Sequence, residues 1–212
     1  MPIAWDADPP TSLGLIATNA AVVAGTIHRQ AKRRERATLE LALEWHRSMY
    51  AGVLLPIPYY AGEVRDSDPR FPELVGYDVL VGGLPGVRHT EVPAALAAFE
   101  QGMLATTDAL DPVIAPGGVP ATPDQLRAVI RLAALAHGEW VRIHPFANGN
   151  GRVARCWANF VALRFGLPAF VTIRPRPASL VYRQAAIASM AHDHGPTERL
   201  FAAMLQSAIS TL

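Results

Sequence analysis

The chain alternates between stretches with helical spacing of apolar positions and stretches broken by proline and glycine. From Leu13 onward alanine, valine and isoleucine dominate behind Thr11 and Ser12, which predicts a capped helix over about 13–31 with one buried face. Residues 35–51, ERATLELALEWHRSMYA, contain neither glycine nor proline and space Leu39, Leu43 and Met49 toward a core. They predict a second helix, ended by Pro56 and Pro58. Two short runs at 77–81 and 87–89 flank a GGLPG turn and predict a small β-hairpin. Helix returns over about 92–108, and a PGG loop follows at 116–118. Thr122 before Pro123 reads as a cap and first helical position, opening a helix that runs to about 142. Beyond a loop at 143–150, helices are expected over about 151–164, 177–191 and 196–209. The pattern as a whole is all-α: a helical bundle of about seven helices carrying one hairpin.

Length and composition narrow this. The 212 residues fit one domain, divided here into an N-terminal extension and helix at 1–35, packed on a main domain at 36–212. Half the residues are apolar and 17% are charged, the balance of a folded globule. A net charge of +1 supplies no field toward nucleic acid or anionic lipid, so neither is expected as a partner. Eighteen of the basic residues are arginine and one is lysine, Lys32. The single cysteine, Cys156, forms no internal disulfide, builds no thiolate cluster and reads as a buried inert thiol. The opening MPIAWDADPP lacks the basic and apolar runs of a secretory leader, and the run from Leu13 to Gly25 is shorter than the roughly 20 residues of a membrane helix. A cytoplasmic protein without membrane contact is the expectation.

The chemistry gathers at 141–155, VRIHPFANGNGRVAR. Gly149 and Gly151 surround Asn150 just before an apolar helix, an arrangement that turns backbone N–H groups toward one point at a helix start and favours an anion. Arg152 and Arg155 lie three apart on nearly one face, against the helix dipole, and make most sense with an anion between them. His144 stands at the other end of the loop, a side chain able to take a proton near neutral pH. Phe146 can anchor the loop in the core. From chemistry alone two readings remain open: a catalytic or phosphate-gripping loop at 144–152, or a structural helix-loop-helix turn.

The positions His144-Pro145-Phe146, Gly149-Asn150-Gly151-Arg152 and Arg155 resemble the HPFx(D/E)GNGRxxR signature of the Fic domain family. The GEVR stretch at 62–65, the hairpin at about 77–89 and His137 extend the resemblance from about Leu39 to Leu205. It implies a Fic-like helical bundle with the hairpin as a flap over the active site. It also implies transfer of AMP from ATP to a Ser, Thr or Tyr hydroxyl of a target protein, docked on the flap. His144 would then be the general base, and Gly149, Asn150 and Gly151 would hold the nucleotide phosphates. Arg152 would contact the distal phosphates, and Arg155 would secure the loop or the phosphate cluster.

One position departs from the signature: Asn148 stands where the family carries the acidic residue that binds Mg²⁺. Asn keeps an oxygen but loses the charge, which makes Asn148 a weak metal candidate for Mg²⁺ or Mn²⁺. The readings that follow are weak Mg²⁺-dependent transfer, transfer from a different phosphate-containing donor, and a non-transferring nucleotide- or phosphate-binding homologue. The family's inhibitory (S/T)xxxE(G/N) helix has no match, since no Ser or Thr is followed by Glu at the fourth position. Control by a separate inhibitor protein, or none, is the resulting expectation.

Other residues receive plainer readings. His192 and His194 in HDH have no evident third ligand, and residues two apart in a helix share no face, so no metal pair is expected. Arg174 and Arg176 read as surface charges, with lining of the nucleotide cleft as the alternative, and His46 as helix packing. Tyr182 has no spacing that assigns it a role, and Arg65 and Arg88 are candidates for steering a target.

Overall fold

A computed structural model describes residues 2–211. Seven α-helices and one two-stranded hairpin order it: α1 Leu13–Lys32, α2 Leu39–Met49, β1 Leu80–Val81, β2 Leu84–Pro85, α3 Val92–Leu110, α4 Pro123–Ile143, α5 Asn150–Arg164, α6 Leu180–Ser189 and α7 Gly195–Ile209. The all-α bundle with a small hairpin is the architecture that the apolar spacing predicts.

Helix α5 is the centre. It is enclosed on every side, with every residue from Val153 to Ala162 buried, although its sequence also carries Arg152, Arg155, Asn159 and Arg164. Helices α1, α2 and α4 pack around it, and α4 in turn carries α3, α6 and α7. Most of the polar groups that α5 takes inside are matched, the buried Trp157 indole nitrogen being left without a partner. Asn159 donates to the Val171 carbonyl at 2.7 Å and accepts from the Phe170 and Val171 amides. Arg164 pairs with Asp111 and donates to the Glu35 carbonyl. Buried polar groups left without such partners would cost a few kcal/mol each.

Several boundaries differ from expectation. Helix α2 begins at Leu39, four residues late, because Arg34 turns left-handed (φ 50°) and the chain is still extended at Thr38. Its buried face is Leu41, Ala42, Trp45, His46 and Met49, whereas Leu39 and Leu43 are only partly covered. Helix α6 starts at Leu180, where the Ser179 hydroxyl accepts from the Tyr182 amide; the prolines at 175 and 177 keep the preceding chain irregular. The hairpin is shorter than predicted. Gly82 and Gly83 alone make its turn, at φ 60° and 88°, and Leu80 pairs with Pro85 and Val81 with Leu84. Two consecutive left-handed residues match the twist of a tight hairpin, which is why two glycines suffice.

The apolar N-terminal stretch also exceeds its expected length. As one continuous helical segment, Pro10–Lys32 is long and apolar enough, by length and composition, to cross a membrane. Its alanines are individually weak, but over 23 residues they sum. Ile16, Ala20, Val23 and Ile27 form its buried stripe against the bundle.

Candidate active site

The loop between α4 and α5 is held by its own side chains before any ligand is considered. His144 ends α4 in the left-handed conformation, φ 52°. Asn150, almost wholly buried, closes the loop upon itself: its Oδ1 accepts from the Phe146 amide at 2.8 Å and its Nδ2 donates to the Phe146 carbonyl at 2.9 Å. The Phe146 ring is buried and stacks on His46, ring centres 3.7 Å apart and nearly parallel. His46 does more than pack. Its Nδ1 accepts from the Gly62 amide at 2.9 Å, so in the neutral ring Nε2 is the donor, directed to the Asn148 carbonyl at 3.1 Å. Burial pushes this imidazole down to about 3, and the ring serves as a neutral strut. Gly149 turns at φ 79°, and a Cβ there would lie 2.5 Å from the Tyr50 hydroxyl and 2.8 Å from His46 Nε2.

A second buried group fastens the loop to the flap. Arg65 has no exposed surface. It donates to the carbonyls of His144 (2.9 Å), Tyr77 (2.7 Å), Val87 (2.9 Å) and Ile143 (3.1 Å), while its amide donates to Pro145. Burial lowers its pKa to about 10, which leaves it charged at neutral pH, with Asp78 at 3.7 Å. A guanidinium enclosed in this way cannot steer a target, as the sequence suggested it could; its fork holds the two ends of the flap against the α4–α5 loop. The amide of Val87 adds a bond to the Arg142 carbonyl.

These parts surround a cleft of about 270 Å³, lined by His144, the residues from Asn148 to Arg152, Arg155, His137, Tyr182, Arg176, Asp8 and flap residue Val81, among others. The volume is just under the range of about 300–1,000 Å³ usual for ligand clefts. The first helical amides of α5, at Asn150 and Gly151, have no carbonyl four residues back inside the helix and are therefore available at its positive end. His144 Nδ1 lies 3.1 Å from the Val141 carbonyl. A carbonyl can only accept, so Nδ1 carries the proton and Nε2 keeps its lone pair. Burial first, and the Arg65 charge next, push the imidazole down to about 4, although the Val141 bond opposes this. His144 is thus a neutral base whose free lone pair is Nε2.

The arginines divide their tasks. Arg155, buried, donates through Nε and Nη2 to the Ile173 carbonyl at 3.0 and 2.8 Å, and its Nη1 is 3.5 Å from the Tyr182 hydroxyl. Arg152 donates to the Tyr50 hydroxyl and to the Ala7 carbonyl, and pairs with Asp8. Arg174 pairs with the other oxygen of the same carboxylate. Arg176 lies over the Tyr182 ring at 5.8 Å. Arg176 is exposed and also lines the cleft, while Arg174, partly buried, grips Asp8. The tight RPRP segment hid this, because nothing local shows which way its side chains face. Tyr182 joins the site as well, its hydroxyl 2.7 Å from His137 Nε2.

A Mg²⁺ ion does not fit these residues. The Asn148 Nδ2 donates to the Trp5 carbonyl at 2.6 Å and its Oδ1 accepts from the Gly149 amide at 2.7 Å. What remains is one neutral lone pair, where a hard cation wants carboxylates. The one carboxylate lining the cleft, Asp8, is engaged by two guanidiniums. Metal-ligand spacing occurs elsewhere: the ligand atoms of Glu139, His192 and His194 lie within 4.8 Å of one another. The sequence argument against this pair assumed a helix. Both histidines instead sit in the turn between α6 and α7, His192 left-handed, and Glu139 on α4 supplies the third group. Both rings approach Glu139 Oε1, at 3.0 and 2.9 Å, while Arg142 donates to Oε2. The group is hydrogen-bonded as a polar staple, with the buried His194 Nδ1 left without a partner; its nitrogen-rich set suits zinc better than Mg²⁺, and it lies outside the cleft lining. Cys156 is buried, and that burial pushes its thiol up to about 12, so it is no nucleophile.

Comparison with known proteins agrees with this geometry. A stretch of 39 residues is 49% identical to Protein adenylyltransferase Fic of Culex quinquefasciatus, covering 18% of this chain and 8% of that protein. The protein of the same name from Nematostella vectensis is 51% identical over 39 residues, 9% of its length. The match thus spans less than a tenth of these relatives. Among solved structures, Fic-1 from C. elegans superposes with a TM-score of 0.61 at 21% identity, over 91% of this chain and 50% of that one. A Fic domain containing signaling protein from Bacteroides thetaiotaomicron gives 0.53 at 20% identity, over 92% and 72%. At such identities the likeness concerns the fold. The Fic/DOC family pattern itself matches residues 36–162, more than half of the chain and all of the loop just described, and the chain belongs to the Fic/DOC family.

Proposed function

We propose that this chain transfers a nucleoside monophosphate, AMP from ATP, to a Ser, Thr or Tyr hydroxyl of a target protein. The observation that carries this reading is His144: a neutral imidazole with its Nδ1–H committed to Val141 and its Nε2 lone pair free, beside the amides of Asn150 and Gly151. The target hydroxyl attacks the α-phosphorus of the donor. The new O–P bond forms as the bond to pyrophosphate breaks, and His144 Nε2 takes the hydroxyl proton. A triphosphate alongside supplies negative charge that raises the imidazole from about 4 toward neutrality, where a base is most effective. Arg152 and the helix start offset the charge that develops on the departing pyrophosphate.

The target segment is read as docking along the flap, where Leu80 and Leu84 are exposed and the short strands offer free edges. Membership of the Fic/DOC family supports nucleotidyl transfer in general, and the relatives named as adenylyltransferases favour AMP. A second reading, a binder of nucleotide without transfer, draws on the unsuitability of Asn148 for Mg²⁺. Incubating the protein with labelled ATP, GTP, UTP and CTP, with Mg²⁺ or Mn²⁺ and cell lysate, separates the two. Label that reaches protein with the wild type and is lost with His144→Ala supports transfer. Bound but chemically unchanged nucleotide over long incubation supports the binder and sinks the transferase.

A further inference from the structure

Neither the signature loop nor the proposed chemistry accounts for the segment before α1, which lines the cleft through Ala7 and Asp8. Trp5 is buried, its ring 4.6 Å from that of Tyr50 and 5.9 Å from that of His46. The Ile3 amide and carbonyl both bond to the Tyr60 hydroxyl, at 3.1 and 3.0 Å. The Trp5 carbonyl takes the Asn148 amide, and the Ala7 carbonyl takes Arg152 Nη1 at 3.2 Å. At the end of this strap the Asp8 carboxylate bridges two guanidiniums, one oxygen on Arg152 and the other on Arg174. Arg152 belongs to the signature, but Arg174 lies 22 residues further on, beyond the end of α5.

A carboxylate shared between two forks occupies the place where a phosphate group would sit, since both present oxygens at the same hydrogen-bonding distance from guanidinium nitrogens. Arg152 and Arg174 side chains are 7% and 20% exposed, whereas that of Asp8 is 49% exposed. The jaws are therefore built into the protein, and the ligand between them reaches solvent.

We propose that Arg152 and Arg174 form a two-jawed oxyanion clamp for the terminal phosphate of the donor, and that Asp8 fills it as an internal ligand which the donor must displace. The identity of that phosphate rests on the function proposed above; the clamp itself does not. A strap seated nine-tenths of the time lowers apparent donor affinity about tenfold, because only the open fraction binds.

Calorimetric titration with ATP and with inorganic tripolyphosphate tests this, using the wild type, Asp8→Asn, and Asp8→Asn combined with Arg174→Gln. Removing the charge at Asp8 is expected to tighten both ligands about tenfold, the open-fraction effect. Adding Arg174→Gln should reverse most of that gain, and Arg174→Lys in the same background should recover part of it. Unchanged affinity for both ligands in all variants overturns the clamp, while His144-dependent labelling, if it persists, leaves the transfer reading intact. Tripolyphosphate that responds as stated while ATP binds to no variant keeps the clamp and sinks the nucleotide reading. Failure of both ligands to bind any variant removes both.

Discussion

The cleft has two walls, and they are held in different ways. On one side, the loop from His144 to Arg152 is fixed by bonds from the buried side chains of Asn150, His46 and Arg65. On the other side, the strap at 3–8 anchors one buried ring, Trp5, and ends on a half-exposed carboxylate. Buried polar groups are costly to leave unpaired, so the first wall has a single arrangement. Exposed ion pairs are worth little, since water replaces the partner, so the end of the second wall can leave. A transferase needs both: catalytic atoms that do not move, and a mouth that opens.

The largest effect is expected at Arg65. Replacing it by alanine leaves four carbonyls, that of Ile143 buried and the others partly buried, without their donor and opens a cavity between flap and loop. The loss is of order 4 kcal/mol or more, by analogy with removing one partner of a buried charged network. Thermal melts followed by circular dichroism should fall on the order of 10 °C, and a drop of a degree or two would show that the loop is not held from this side. Gly149→Ala should follow, costing about 2–3 kcal/mol, because a positive φ and contacts of 2.5 and 2.8 Å with Tyr50 and His46 both oppose a methyl group. Nucleotidyl transfer should fall with it, and near-normal stability and transfer would mean that the loop yields locally.

Acid gives a third way to break the fixed wall. His46, His137 and His144 are held at about 3, about 3 and about 4, against 6.5 for an unperturbed ring, mainly by burial. Above pH 6.5 folded and unfolded chains both carry neutral rings, and stability is at its full value. As pH falls below 6.5 the unfolded chain takes up protons that the folded one refuses, so stability is lost progressively toward pH 4 and 3. The slope is at most about 1.4 kcal/mol per pH unit for each histidine. Denaturant midpoints between pH 7.5 and 4.5 should show it, and His46→Phe or His137→Phe should flatten it. A curve that stays level through pH 5 would contradict the assigned neutral struts.

The same division governs what the sequence reveals. The α4–α5 loop is legible because its parts lie within twelve residues: the glycines, the histidine and the arginines declare one local geometry. The helices are legible because apolar spacing repeats along them, apart from ends set by single residues such as Arg34 or Ser179. What the sequence hides are contacts between distant segments. Asp8 meets Arg174 across 166 residues, and His46 meets Asn148 across 102. The Asp6–Asp8 run looks like a solvated tail, and His46 looks like one more residue on a helix. The grouping of His192 and His194 is hidden for a related reason: they sit in a turn, where a helical period says nothing, and Glu139, 53 residues away, is out of local view. Searching for every acidic residue able to reach the signature arginines, rather than for one helical pattern, would have put Asp8 among the candidates.

The smallest expected effect is the one that tests the contrast most directly. Asp8→Asn keeps the shape of the side chain, an acceptor for one guanidinium and the Trp5 anchor, and removes only charge. Arg152 keeps the Tyr50 hydroxyl and the Ala7 carbonyl as partners, so its charge is not stranded. The cost in stability should stay within about 1 kcal/mol, as for other solvent-reached pairs, a shift of a few degrees at most in the melt. The gain appears when a ligand is added. Tripolyphosphate at a fixed millimolar concentration should raise the melting temperature of Asp8→Asn more than that of the wild type, because a ligand stabilises in proportion to the logarithm of its concentration over its dissociation constant. If Asp8→Asn instead costs as much as Arg65→Ala, the strap is a structural pillar, and the two walls of the cleft are of the same kind after all.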